Sequence, residues 1–172
     1  MKRHLKILIP LILFCGIIFM VFKIYKNVDQ ENRISLQIKN LPKFKFVDLK
    51  TNREFTNYEL KRNTTTFFIY FNTECEYCNY EIEKIVCNID KFKNSQILLV
   101  SFEEHQVLKA FVEKYNLTKY EEIKVLYDKD LKFEELFGDC VFPSIIVYDD
   151  NNKLVKFYKG KVNMDILLKC LN

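Results

Sequence analysis

An uncharged run, Thr64 to Phe71, leads into Cys75 and Cys78, and these open a segment with apolar residues at helical spacing. Few folds accommodate that arrangement. The run is rich in Thr, Phe, Ile and Tyr, which suits a buried strand. Ile82, Ile85, Val86 and Ile89 then repeat along one helical stripe, so the spacing predicts a helix over 81–92. A buried strand passing into a helix, with two cysteines at the joint, belongs in a layered α/β domain.

The rest of the chain supplies the other layers. Strands are expected over 45–48, 97–102, 123–127, 144–148 and 154–158, the last two joined by a turn at 149–152. Helices are expected over 107–115, 131–137 and 162–171. Alternating elements followed by a hairpin imply a central mixed sheet with helices on both faces. With 172 residues, 49% of them hydrophobic, the chain has enough apolar side chains for one such core without covalent staples.

Ile7 to Phe22 is apolar without interruption, and Lys6 and Lys23 flank it. It is a little shorter than the roughly 20 residues that cross a bilayer, but the flanking lysines can snorkel, and Ile24 and Tyr25 extend it. Phe19 to Lys26 offers no small residue for a signal-peptide cleavage site. The expected organisation is an N-terminal transmembrane helix in residues 1–26, a polar linker over 27–37, and a globular domain over 38–172 outside the cytoplasm, on the periplasmic side. The formal net charge of +4 belongs to the anchor: Lys2, Arg3, Lys6, Lys23 and Lys26 precede Asn27, and no acidic residue does. The remainder is slightly acidic, which argues against a nucleic-acid surface.

Of the six cysteines, Cys75 and Cys78 alone are paired in sequence. Two thiols separated by two residues at a helix start can close a small disulfide ring. The first of them meets unpaired N–H groups and the positive end of the helix dipole. Thr73 and Glu76 have capping-box spacing, so the helix is expected to begin at Thr73. A zinc site would need four ligands, and the only histidines, His4 and His105, form no pair. Neither a metal nor a cofactor is expected. Cys87 and Cys170 read as packed residues, and Cys140 could come near the pair because Pro143 follows closely. Phe142-Pro143 heads the 144–148 strand, where a missing donor is tolerated. The dipeptide alone favours a trans bond; a cis bond would let a substrate chain pair with the backbone there.

These features resemble the thioredoxin superfamily, and within it the TlpA-like branch of membrane-anchored oxidoreductases near the AhpC/TSA-type redoxins. The resemblance runs from about Leu41 to Leu171. It rests on Phe68-Ile69-Tyr70-Phe71 before the cysteines, Glu81 after Cys78, Pro143 before Ser144 to Asp149, and Gly160 before the last helix. It implies a thioredoxin-like fold, Cys75 as nucleophile, Cys78 as resolving thiol, Pro143 in cis and Glu81 as a residue that tunes the thiols. By itself, Glu81 reads equally well as an exposed helix residue. Glu74 stands where relatives often carry Trp, and Glu-Tyr separates the cysteines in place of Gly-Pro.

The expected activity is reduction of disulfides in extracytoplasmic protein substrates, with a separate thiol donor restoring the pair. Glu74, Glu76 and Glu81 place negative charge near Cys75, which opposes the helix dipole and favours a reductant over an oxidant. The alternatives are a redoxin-type peroxidase and a non-catalytic binding module. A peroxidase would want Pro and Thr or Ser where the chain has Phe68 and Asn72.

Overall fold

In a computed structural model of the chain, residues 2–171 are described, without the side chains of 2–13, 27 and 29–31. Residues 1–36 and 37–172 form separate compact units. The first is built on α1 (Lys2–Gln37). Residues 27–37, the expected polar linker, continue this helix. They contain neither proline nor glycine to break it. The side chains of 7–13, the first half of the expected membrane span, lie outside the described residues. Among the described residues no helix is long and apolar enough to cross a membrane.

The second unit is organised around β3 (Thr65–Tyr70), whose last five side chains are buried. Its alternate residues serve opposite faces of the sheet. Phe67 and Ile69 join Phe71, Ile97, Leu99, Ile145 and Val147 on one face, where Ile82, Ile85, Leu108, Phe111 and Leu167 cover them from three helices. Phe68 and Tyr70 turn the other way, onto Phe44, Phe137 and Phe133. This double burial is why the run carries no charge.

The remaining strands are β1 (Lys45–Asp48), β2 (Glu54–Thr56), β4 (Ser95–Ser101), β5 (Ile123–Tyr127), β6 (Ser144–Tyr148) and β7 (Leu154–Lys159). They form one seven-stranded sheet in the order β2-β1-β5-β4-β3-β6-β7. β3, β4 and β5 are parallel, whereas β6, β7, β1 and β2 pair antiparallel with their neighbours. The helices are α2 (Glu76–Cys87), α3 (His105–Lys114), α4 (Phe133–Phe137) and α5 (Met164–Leu168). The expected mixed sheet with helices on both faces is present.

Two differences have local causes. β2 was not expected, because Phe55 is the one buried residue in a three-residue strand, too little for a visible period. The helix expected over 81–92 ends at Cys87, and a separate 3-10 turn covers Ile89–Phe92. Asn88 stops it: its side-chain amide donates to the Lys84 carbonyl at 2.9 Å, and its backbone N–H is drawn to Ile85.

Candidate active site

Because β3 and β4 are parallel and Tyr70, the last residue of β3, pairs with Val100 near the end of β4, the turns that leave them lie side by side. The first turn carries the cysteines. Cys75 is the N-cap of α2, in extended backbone (φ −74°, ψ 114°), so the helix starts at Glu76 and not at Thr73. The capping reading fails because Thr73 is engaged elsewhere: its N–H and its hydroxyl both donate to Glu103, each at 2.7 Å.

The cap position gives Cys75 its setting. Its sulfur accepts the Cys78 N–H at 3.4 Å, using one of the donors a helix start leaves unpaired. The thiol in turn lies 3.6 Å from the Phe142 carbonyl, to which it donates. Cys75 is half-buried and Cys78 is fully buried, and both are free thiols. Burial pushes the Cys78 thiol up to about 12; the Asn72 N–H works against this, while Cys75 and Glu103 add to it.

Phe142 meets Cys75 through that carbonyl, and the Phe142–Pro143 peptide bond, which places Pro143 next in the chain, is cis. Gly160, with φ 89°, donates its N–H to the Pro143 carbonyl at 2.8 Å and so ties the β7 end to this loop. Beside Cys75 the Phe142 ring packs on Tyr70 (centroids 5.0 Å apart) and on the partly exposed Phe102 (6.0 Å). An apolar shelf therefore adjoins the more accessible thiol.

The two glutamates expected to tune the pair are placed differently. Glu76 is exposed in the first turn of α2. Glu81, for which an exposed position was one reading, is only 1% exposed and accepts the Val162 N–H at 3.3 Å. Burial raises its carboxyl above the ordinary range, against the pull of the Val162 N–H and of Lys161. Lys161 is the cation that local sequence did not show, 3.8 Å from the Tyr80 ring centroid.

Glu81 should therefore leave a mark on stability. A carboxyl whose folded value is raised binds its proton more tightly in the native state than in the unfolded one. Stability then falls as pH climbs from the ordinary carboxylate range through the folded value, and it stays lower above that. Glu81→Gln keeps an acceptor for Val162 and removes the charge. The variant should match the wild type in urea unfolding at pH 4 and exceed it at pH 8. A wild type more stable than the variant at pH 8 would contradict this account.

Three further cysteines of this unit have neighbours of their own. Cys140 donates to the Gly138 carbonyl at 3.2 Å, and burial pushes its thiol up to about 11. Cys87 is exposed at the end of α2, not packed as expected, because Ile82 and Ile85 occupy the buried stripe. Cys170 is half-buried, with its sulfur 3.6 Å from the Tyr158 hydroxyl.

The profile of the AhpC/TSA family matches residues 39–157. No curated protein sequence matches the chain. Several solved structures share its fold. A candidate thioredoxin from Neisseria meningitidis is 25% identical, with 74% of this chain and 84% of that one covered and a TM-score of 0.63. A secreted disulfide oxidoreductase from Mycobacterium tuberculosis is 16% identical, with 78% and 96% covered and a TM-score of 0.63. A thiol peroxidase from Chromobacterium violaceum is 14% identical, with 78% and 84% covered and a TM-score of 0.65. The fold is thioredoxin-like.

Proposed function

The chain belongs to the AhpC/TSA family, and from that premise we propose that it is a thiol–disulfide oxidoreductase which reduces disulfides of extracytoplasmic proteins through Cys75 and Cys78. The observation that carries this reading is the asymmetry of the pair. The half-buried Cys75 caps α2 with its sulfur on the Cys78 N–H, and Cys78 is fully buried behind it. Attack falls to the accessible sulfur and ring closure to the sheltered one.

In the reaction, the Cys75 thiolate attacks one sulfur of a substrate disulfide. A Cys75–substrate bond forms, and the other substrate sulfur leaves as a thiolate that takes up a proton. Cys78 then gives up its proton and attacks Cys75, expelling the second substrate thiol and closing the Cys75–Cys78 disulfide. Two electrons and two protons pass to the substrate, and a separate dithiol donor returns them. Phe142 and Pro143 line the place where the substrate chain would lie, with Phe102 as an apolar neighbour.

Glu74 and Glu76 flank Cys75, and Glu103 is bonded to Thr73 two residues before it. Burial pushes the Cys78 thiol up, which withholds thiolate stabilisation from the reduced form and so supports a reductant. The peroxidase alternative lacks its hydroxyl: Asn72 occupies that place, and its side chain accepts the Glu74 N–H at 2.9 Å. We assign α1 the role of a membrane anchor that leaves the domain on the extracytoplasmic side. This rests on the apolar run and on the exposed Phe14, Ile17, Phe19, Met20 and Phe22.

The test is the redox equilibrium of the full-length chain in detergent, read by thiol trapping and mass spectrometry. The pair should remain oxidised against glutathione and become reduced by dithiothreitol. Ready reduction by glutathione would mark an oxidant or isomerase instead.

A further inference from the structure

The turn that presents Cys75 is gripped from two sides. Each polar group of Thr73 is engaged: the N–H and hydroxyl by the Glu103 carboxylate at 2.7 Å, and the carbonyl by the Asn79 side-chain amide at 2.8 Å. The same amide reaches the Cys75 carbonyl at 3.0 Å. Both gripping groups are themselves seated. Ser101 donates its hydroxyl to Glu103 at 3.1 Å, and the Tyr115 hydroxyl donates to Asn79 Oδ1 at 2.7 Å. One arm thus comes from the turn after β4 and the other runs through α2 to the end of α3. Two charge-assisted bonds from one carboxylate to one residue form a strong and directional contact.

This grip exists in the dithiol form, before any disulfide closes. Closing a ring between Cys75 and Cys78 demands a fixed turn, and a turn free to move in the dithiol would lose that freedom on closure. A turn already ordered loses little, so closure is more favourable and the dithiol gives up its electrons more readily.

We propose that Glu103 and Asn79 are positioning residues that hold the 72–75 turn of the dithiol in disulfide-closing geometry and thereby make the pair a stronger reductant. The inference rests on the oxidoreductase reading. It concerns the closing step alone, in which the Cys75–substrate bond breaks, the Cys75–Cys78 bond forms, the substrate leaves as a thiol and the Cys78 proton is released. The first attack, by Cys75 on the substrate, does not depend on ring closure and should be much less affected.

The experiment uses the full-length chain in detergent, equilibrated with oxidised and reduced dithiothreitol. Glu103→Ala should lower the equilibrium constant for Cys75–Cys78 disulfide formation about tenfold, a shift of about 30 mV for two electrons. Glu103→Gln, which still accepts the Thr73 N–H, should recover most of that loss. Asn79→Ala cuts the other arm and should shift the equilibrium in the same direction, which keeps the idea testable if Glu103→Ala does not fold. In a Cys78→Ser background, the rate at which Cys75 attacks a small disulfide should change less than threefold on Glu103→Ala. Variants with the wild-type equilibrium overturn the inference, as does a loss confined to the attack rate. A wild-type pair that glutathione reduces readily overturns the oxidoreductase direction instead, so the two failures are distinguishable.

Discussion

Cys75→Ser should abolish the reduction of a protein disulfide such as that of insulin, with a fall of about a thousandfold or more in rate. The size follows from the chemistry: a serine hydroxyl at neutral pH has no thiolate equivalent, and among the described residues no other cysteine caps a helix as Cys75 does. Cys140 bonds to Gly138, Cys87 faces solvent beyond the buried stripe of α2, and Cys170 lies against Tyr158. Cys78 itself is fully buried, and its thiol is raised to about 12, which leaves almost no thiolate at neutral pH to attack an outside disulfide. Cys78→Ser should behave differently. Cys75 remains able to attack, so one equivalent of substrate thiol is released and a stable mixed disulfide accumulates on Cys75, visible by mass spectrometry. This pair of outcomes separates the functional classes. A binding module would retain its partner affinity in Cys75→Ser and form no covalent adduct. A peroxidase would consume hydrogen peroxide in the wild type, through an oxidised sulfur on Cys75, and would not need Cys78 for the first turnover.

Much of the site was legible because it is local. β3, the cysteines and α2 are contiguous, and the apolar run reads as a buried strand, which puts Cys75 and Cys78 between that strand and the helix that follows. Strands β5 and β6 fell at their expected bounds for the same reason. What escaped is the layer brought in from a distance. Thr73 looked like a helix cap because Glu76 has the right spacing, yet Glu103, from the loop after β4, takes both of its donors. That contact was in principle deducible, since adjacent parallel strands deliver their following turns to the same edge of the sheet. Lys161 was invisible from the cysteine helix, since it arrives from the loop before α5 to meet Tyr80. Glu81 could be read as exposed or buried because its neighbours in sequence are polar on one side and apolar on the other. The cover provided by Val162 decides it.

The shelf beside Cys75 also depends on residues far from it, and Phe133→Ala should show this. Phe133 is fully buried, and its ring stacks on Tyr70 with centroids 4.3 Å apart and planes within 4° of parallel. It also contacts Phe137 at 4.6 Å and Phe46 at 6.1 Å. Truncation removes the ring's burial and leaves a cavity that these rings fill only in part, so the cost should be about 3–5 kcal/mol. Domains of this size have about 5–15 kcal/mol in all, so the loss is a large share, and unfolding in urea should begin at much lower concentration. Val155→Ala, at an exposed position on the edge strand β7, should cost less than about 0.5 kcal/mol and serves as the comparison. A functional effect should follow from the geometry. Tyr70 lies between Phe133 and Phe142, so relaxation of its ring into the cavity draws support from the residue whose carbonyl meets Cys75. At a temperature where Phe133→Ala is still folded, the attack of Cys75 on a peptide disulfide should slow, while its attack on a small aromatic disulfide reagent should stay near the wild-type rate. Equal slowing toward both would mean that Phe133 acts on Cys75 itself, and unchanged rates toward both would mean that the shelf has no part in holding a substrate chain.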